Sequence, residues 1–482
     1  MMRRSGPIAT RRRLANPDAE GAPAAPDQSD EQQVAERIAK MKPMSLQEAI
    51  DAAGSPMGVV WKPNAKAWEV PVIAPEYAGW RIEQAAWRDG VALSDLSHHM
   101  WDLWIEGPDA LRLLKDYSAN NYENFLIGQA KQFVPVTARG KLITDGILMR
   151  DAEERFNLSG VPASQTWIRY QGEQGGYDVE MKVDPDSGLR KSGDPMVFRF
   201  QIQGPLAMPL AEKLFGGPLP KTKFFHSTPV ELGGRTFRAF RHGMAGMPGY
   251  EFIGDWKDAA FVKDAILKAG EEFGLHHVGG KAYYTNGIES GWIPTPTPGV
   301  FSDPELRGYR EWLSIYSYEG QKPLHGSFYS DNIEDYYVSP FELGYGKSIA
   351  FNHDYLGREA LEKAKDTYRR RKVTFVFDPE DMARVFGQPE YLNTYGRYRV
   401  EKDGKLVGVA FQTGLIGPLN AILSLGLVDH EYAAPGTRLD FIWGEHPGPG
   451  NDPNADFGYQ KLSVTVEASP YNEHARSDYR KD

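Results

Sequence analysis

Two stretches of this chain carry residue types suited to gripping a flat, nitrogen-rich ring and to doing chemistry beside it. The first, Arg241-His242-Gly243-Met244-Ala245-Gly246-Met247-Pro248-Gly249-Tyr250-Glu251-Phe252, is a glycine-punctuated turn that runs into a strand. Glycine lets backbone approach a planar ligand closely, and the carboxylate of Glu251 can accept two adjacent N–H donors in a fork. The second, Ala282 to Trp292, sets the phenols of Tyr283 and Tyr284 and the indole of Trp292 some thirty residues downstream.

Composition bounds what such a site can use. The 482 residues, 41% hydrophobic and 25% charged, suffice for two or three ordinary globular domains. A formal charge of -10 without a long basic stretch argues against nucleic acid, which needs clustered Lys and Arg, and favours a small-molecule ligand. The chain has no cysteine, which excludes disulfides, thiolate nucleophiles, iron–sulfur clusters and Cys-held zinc. The pairs His98-His99 and His276-His277 are adjacent, so in a strand their side chains point to opposite faces and neither pair makes a metal site; no metal is expected. The spacing of Gly243, Gly246 and Gly249 is not Gly-x-Gly-x-x-Gly, and no phosphate-binding Gly-x-x-x-x-Gly-Lys-Ser/Thr occurs.

The arginines at positions 3, 4 and 11 to 13 precede no apolar run, and no segment reaches the ~20 apolar residues of a membrane span. A cytoplasmic protein without membrane contact is expected. Residues 1–42, rich in Ala, Pro, Asp, Gln and Glu, are expected to be a disordered tail with a short amphipathic helix from about Gln32 to Met41. Oligomeric state is not legible.

To position the two stretches, alternating runs at Val91–Leu96, His99–Ile105 and Gln132–Val136 predict strands, with a helix at Asp109–Tyr117. Lys141–Met149 and Arg155–Ser159 predict a hairpin. The strict alternation Phe198-Arg199-Phe200-Gln201-Ile202-Gln203 predicts a strand, followed by a helix over Ala207–Phe215, a strand over Arg235–His242 and a helix within Trp256–Phe273. The Pro- and aromatic-rich run from Trp292 to Glu334 reads as a long irregular connection able to cover the site. Short strands from Val373–Phe377 to Val466 predict a C-terminal β-barrel or sandwich. This alternation of strands and helices means α+β or α/β, with 43–365 carrying the ligand sites and 366–482 the β domain.

Over residues 70–470 the chain resembles the aminomethyltransferase family, the folate-binding T-proteins of glycine cleavage. The landmarks are Gly140-Lys141-Leu142-Ile143-Thr144-Asp145-Gly146-Ile147, the Gly-Tyr-Glu turn ending at Glu251, Glu289-Ser290-Gly291, and Ser339-Pro340-Phe341-Glu342-Leu343-Gly344. Tyr355 to Leu361 and Val407 to Gly414 follow in the same order. His98-His99-Met100, Ala130 to Val136, Phe198 to Pro205 and Glu289 to Pro294 bring it nearer to a subgroup, the tetrahydrofolate-dependent aryl methyl ether O-demethylases acting on vanillate, 3-O-methylgallate and syringate. The resemblance implies a multi-lobed α+β fold around a folate channel, closed by a C-terminal β-barrel. It also implies tetrahydrofolate as cofactor and a lignin-derived methoxyaromatic as methyl donor. Aminomethyl transfer, demethylation of the dimethylsulfoniopropionate type and non-catalytic folate binding are the alternatives.

Carried onto this sequence, the resemblance implies Tyr283 as the catalytic tyrosine. A phenol of ordinary pKa ~10 can protonate a leaving phenoxide with little loss of driving force. His99 would contact the donor's aryl oxygens, with Gln132 beside it. Glu251 would hold the pterin, and Trp292 would wall the pterin or the donor. Asp145 matches the first of two paired aspartates, Gly146 replacing the second. For each of these residues a structural reading stands beside the functional one: a packed histidine, a core indole or a turn aspartate. One departure bears on the donor. Val161, in Gly160-Val161-Pro162-Ala163, stands where the demethylases have an arginine for the donor's carboxylate, and Val70 stands where the motif has a tyrosine, with Trp68 two residues before it. A donor that is neutral, or carries its acid group elsewhere, is expected.

Overall fold

In the run Phe198 to Gln203, side chains alternate between two faces of a strand, and each face has its own task. A computed structural model describes residues 43–481, except Trp68, Pro71, Lys191, Ser192 and Thr295, and makes this run the strand Val197–Gln203. The tail expected over 1–42, with its short helix, lies outside the described residues. Phe198, Phe200 and Ile202 are fully buried against the helices Ala207–Phe215 and Ala259–Gly270, each burial contributing roughly 1.5–3 kcal/mol. Arg199, Gln201 and Gln203, also buried, face the other way.

Three sheets organise the unit spanning 45–482. In the first, the strands lie in the order His276–Val278, Ala92–Asp95, Val197–Gln203, Gly249–Asp255, Arg235–Phe240 and Ser227–Leu232, antiparallel except for the first pair. The second is antiparallel throughout: Ala130–Phe133, Gly146–Ala152, Arg155–Gly160, Trp101–Glu106 and Glu180–Asp184. The third closes on itself as a six-stranded barrel: Lys405–Ile416, Tyr398–Lys402, Arg438–Trp443, Gln460–Glu467, Arg370–Phe377, Ala421–Asp429 and back to Lys405–Ile416. Val373, Phe375 and Phe377 alternate into its core with Val400, Phe441, Val464 and Val466. Mixed sheets with flanking helices, plus a barrel that removes its own edges, make the α+β class.

Local expectations shift in four places, the first being the strand expected over Gln132–Val136, which runs over Ala130–Phe133. The strand expected from His99 starts at Trp101, and residues 97–99 form a turn ahead of it. The hairpin arm expected from Lys141 becomes regular only at Gly146, Leu142 making one isolated bridge to Val136. The stretch from Trp292 to Glu334 is not a loose connection. It contains the helices Arg307–Trp312 and Tyr318–Gln321 and buries Ile293, Val300, Phe301, Tyr309, Leu313 and Leu324 in the core beside the second sheet. Its many aromatic and aliphatic residues find that core without any strand or helix period long enough to announce it.

Candidate active site

The glycine turn is held from behind by the polar face of Val197–Gln203. Gln201 Oε1 accepts from the Met244 N–H at 3.2 Å and Gln203 Oε1 from the Ala245 N–H at 2.9 Å, while Gln203 Nε2 donates to the Met247 carbonyl at 3.1 Å. The approach is close enough that a Cβ on Gly243 would stand 1.5 Å from Gln203 Nε2, and Gly246 adopts a φ of +70°. From the far end of the chain, the Tyr479 hydroxyl accepts from the Gly243 N–H at 2.8 Å and donates to the Gly243 carbonyl.

In front of this turn lies a cavity of about 770 Å³, within the usual range for small-molecule sites. His99, Gln132, Asp145, Val161, Tyr283 and Trp292 all line it, together with His242, Gly243 and Met244 of the turn. Six of the eight residues singled out in the sequence thus meet at one surface. Trp68 lies outside the described residues. Glu251 lies at the edge of this arrangement, since it does not line the cavity.

His99, in the turn before Trp101–Glu106, brings Nε2 to 2.7 Å from the Tyr283 hydroxyl, with ring centroids 4.6 Å apart. Tyr283 ends the short helix Gly280–Tyr283. Burial lowers the His99 pKa to about 4, so the ring is neutral at neutral pH. Burial raises the Tyr283 pKa well above its ordinary value, so the phenol keeps its proton. A neutral imidazole presents one N–H donor and one acceptor nitrogen, and the pair therefore shares a single proton between Nε2 and the hydroxyl oxygen. His98 turns away, its Nδ1 3.0 Å from the Ser187 hydroxyl.

Asp145 gathers the opposite wall. Its Oδ2 accepts from Gln132 Nε2 at 2.8 Å, Trp292 Nε1 at 2.9 Å and the Tyr345 hydroxyl at 3.2 Å. These bonds orient the indole and the amide as well as the carboxylate. Its Oδ1 is buried without a hydrogen-bond partner, and burial raises the pKa of the group. That oxygen is shielded from the cavity as well as from water, so the carboxylate acts on the site through the indole and the amide that it holds in place.

Glu251 enters the strand Gly249–Asp255 as expected, but its Oε1 pairs with Arg199 at 2.9 Å. Oε2 takes only a 3.4 Å contact from Gln201. The same guanidinium reaches across to the second sheet, donating to Asp102 at 2.7 Å and to Asn157 Oδ1 at 2.9 Å. Burial raises the Glu251 pKa against the pull of Arg199. For Arg199 the burial penalty is outweighed by Asp102 and Glu251, which hold it firmly charged. Sequence reading passed over Arg199, Tyr345 and Tyr479. A charged residue set between Phe198 and Phe200 in an alternating strand was a usable signal for Arg199; nothing local distinguishes the two tyrosines. Among the described residues no cluster of His and acidic side chains is arranged to hold a metal, and no helix is long and apolar enough to cross a membrane.

With this geometry established, the resemblance gains independent support. The profile of the GCVT N-terminal domain matches residues 51–295. Syringate O-demethylase of Sphingobium sp. is 37% identical over 90% of this chain and 97% of its own length. Sesamin methylene transferase of Sinomonas sp. is 28% identical over 82% of this chain and 89% of its own. The crystal structure of the glycine cleavage system aminomethyltransferase T from Bartonella henselae, 17% identical, superposes with a TM-score of 0.60 over 90% of this chain and 99% of that one, which establishes the shared fold. A glycine turn pinned beneath an aromatic-walled cavity, on a chain with these relatives, belongs to the GCVT family and to its tetrahydrofolate-dependent methyltransferases.

Proposed function

We propose that the protein demethylates a methoxylated aromatic compound, moving the methyl group to N5 of tetrahydrofolate and releasing a phenol. The observation that carries this reading is the His99–Tyr283 pair in the cavity wall, 2.7 Å between Nε2 and the hydroxyl oxygen. Breaking an aryl methyl ether leaves a phenoxide, and the neutral Tyr283 hydroxyl has the proton that leaving group needs. His99, uncharged, stands ready to donate its own Nε2–H to the tyrosine oxygen as negative charge grows there. The donor loses a methyl cation equivalent and gains a proton; tetrahydrofolate, when bound, supplies N5 as the methyl acceptor and gives up the N5 proton.

Trp292 offers its indole face to the pterin or the donor ring, and Asp145 fixes that indole by accepting its Nε1–H. We assign Glu251 to the pterin site at one remove: Gln201 donates to its Oε2 at 3.4 Å and accepts from the Met244 N–H, which holds the glycine turn that lines the cavity. Gln132 is fixed by Asp145 and presents the rest of its amide to the donor. Val161 lies ahead of the helix Pro162–Gln174 on the cavity wall and brings no charge. A donor carboxylate placed there would forgo a charge-assisted contact worth about 1.5–3 kcal/mol. The acid group of the donor is therefore absent or elsewhere.

The test is incubation of the purified protein with tetrahydrofolate and a donor panel, reading 5-methyltetrahydrofolate. The panel spans methoxybenzoates, their neutral esters, methoxyphenols and a methylenedioxybenzene, the last because of the sesamin relative. Methyl transfer from any methoxyaromatic is the expected result. Folate binding without transfer from any methoxy donor would sink the demethylase reading, and transfer from the methylenedioxy compound alone would replace it with methylene transfer.

A further inference from the structure

Five cationic side chains line the cavity among the described residues: Lys66, Lys131, Lys322, Lys347 and Arg480. Only Lys322 is buried, with 8% of its surface exposed. No hydrogen bond or ion pair reaches its ammonium from the described residues. Nζ lies over the Tyr318 ring, 5.5 Å from its centroid. Burial first, and then the like-signed guanidinium of Arg397, pull the Lys322 pKa well below its ordinary value. A buried amine without a carboxylate partner escapes the cost of desolvation by giving up its proton. A carboxylate entering the cavity beside it would favour the ammonium again.

The position suits the methyl donor. Lys322 follows the helix Tyr318–Gln321, and Glu319 of that helix accepts from Thr166 Oγ1 at 2.9 Å. Thr166 belongs to the helix Pro162–Gln174, whose N-terminal cap is Val161. The cation is thus anchored to the element that begins at the uncharged Val161. Lys322 and Tyr283 line the same cavity, so the amine and the proton donor open onto one space.

We infer that Lys322 binds a carboxylate carried by the aromatic methyl donor, and so sets donor preference in this chain in place of a charge at position 161. The inference rests on the proposed demethylation. The glutamyl tail of folate is a second source of carboxylate, and the experiment separates the two.

The experiment measures kcat/KM of the wild-type protein and of Lys322→Met with 4-hydroxy-3-methoxybenzoate and with its methyl ester, at saturating tetrahydrofolate. The acid-over-ester preference is expected to fall about 10- to 100-fold in the variant, the weight of a lost charge-assisted contact. An unchanged preference, or a loss shared equally by acid and ester, overturns the inference. A KM for tetrahydrofolate that rises in place of the donor effect overturns it too, in favour of the folate tail. Lys322→Gln serves as the second variant, and melting curves establish that each is folded. Should the wild-type protein demethylate neither compound, the demethylation reading fails on its own. Calorimetry with 3,4-dihydroxybenzoate then decides the role of Lys322: affinity lost in Lys322→Met supports it, and equal affinity in both proteins overturns it.

Discussion

His99 Nε2 and the Tyr283 hydroxyl, 184 positions apart in the chain, meet at 2.7 Å in the wall of one cavity. The contact joins the turn ahead of a strand of the second sheet to a short helix that follows the edge strand of the first. The pair is uncharged at neutral pH because burial disfavours both the imidazolium and the phenolate.

Tyr283→Phe removes the proton donor and keeps the ring. The expected outcome is a fall in kcat of about 10²- to 10⁴-fold, the usual contribution of a general acid, with a much smaller change in donor KM. Steady-state kinetics on the best donor of the panel checks it. A kcat within threefold of wild type would remove Tyr283 from the reaction.

The histidines predict an acid-side loss of stability. His99 and His242 have folded pKa values of about 4 and about 3, both lowered by burial, against about 6.5 in the unfolded chain. As pH falls below 6.5 the unfolded chain takes up protons first, so the stability due to these rings is complete above about 6.5 and is lost toward pH 4. Asp145 and Glu251, with raised pKa values, act in the opposite sense. His242 Nε2 has no hydrogen-bond partner and its Nδ1 has only a 3.5 Å contact with the Tyr479 hydroxyl, so His242→Phe removes the titrating ring at little cost in hydrogen bonds. Urea unfolding at pH 7 and pH 5 should show the variant losing roughly 1–2 kcal/mol less than wild type between the two, while the carboxylates, common to both, cancel.

Arg199→Met would leave Asp102 and Glu251 buried without their shared cation. The expected destabilisation is about 3–5 kcal/mol, the cost of breaking a buried pair from one side. It is read by denaturant unfolding, and tetrahydrofolate affinity should fall with it, because the guanidinium ties the strand bearing Glu251 to the second sheet. Additional loss of Glu251 in the double variant Arg199→Met, Glu251→Gln should recover part of the stability.

Gly243→Ala forces a methyl group into the Gln203 amide, which must swing away from Ala245 and Met247. Overpacking of this kind costs about 1–3 kcal/mol. Because Gln203 is the clamp on the turn, tetrahydrofolate affinity should drop more than thermal stability does. Isothermal titration and a melting curve measured side by side would show whether it does.

Much of this site is local in origin. Strand alternation from Phe198 to Gln203, the glycine turn and the clustered aromatics after Ala282 are short-range patterns, because side-chain direction in a strand and the space beside a glycine depend on neighbouring residues alone. Those patterns, with the family resemblance they supported, were enough to place His99, Gln132, Asp145, Val161, Tyr283 and Trp292 on one cavity. What depended on tertiary structure was the partnership of groups distant in the chain. Glu251 turns toward Arg199 because two sheets bury a guanidinium between them. Asp145 is ringed by Gln132, Trp292 and Tyr345, which arrive from three separate segments. Lys322, one of many lysines in the sequence, becomes singular only where the aromatic-rich segment folds into the core and carries its ammonium out of water. Burial and charge pairing are properties of packed neighbours, and the chain acquires them only when it folds.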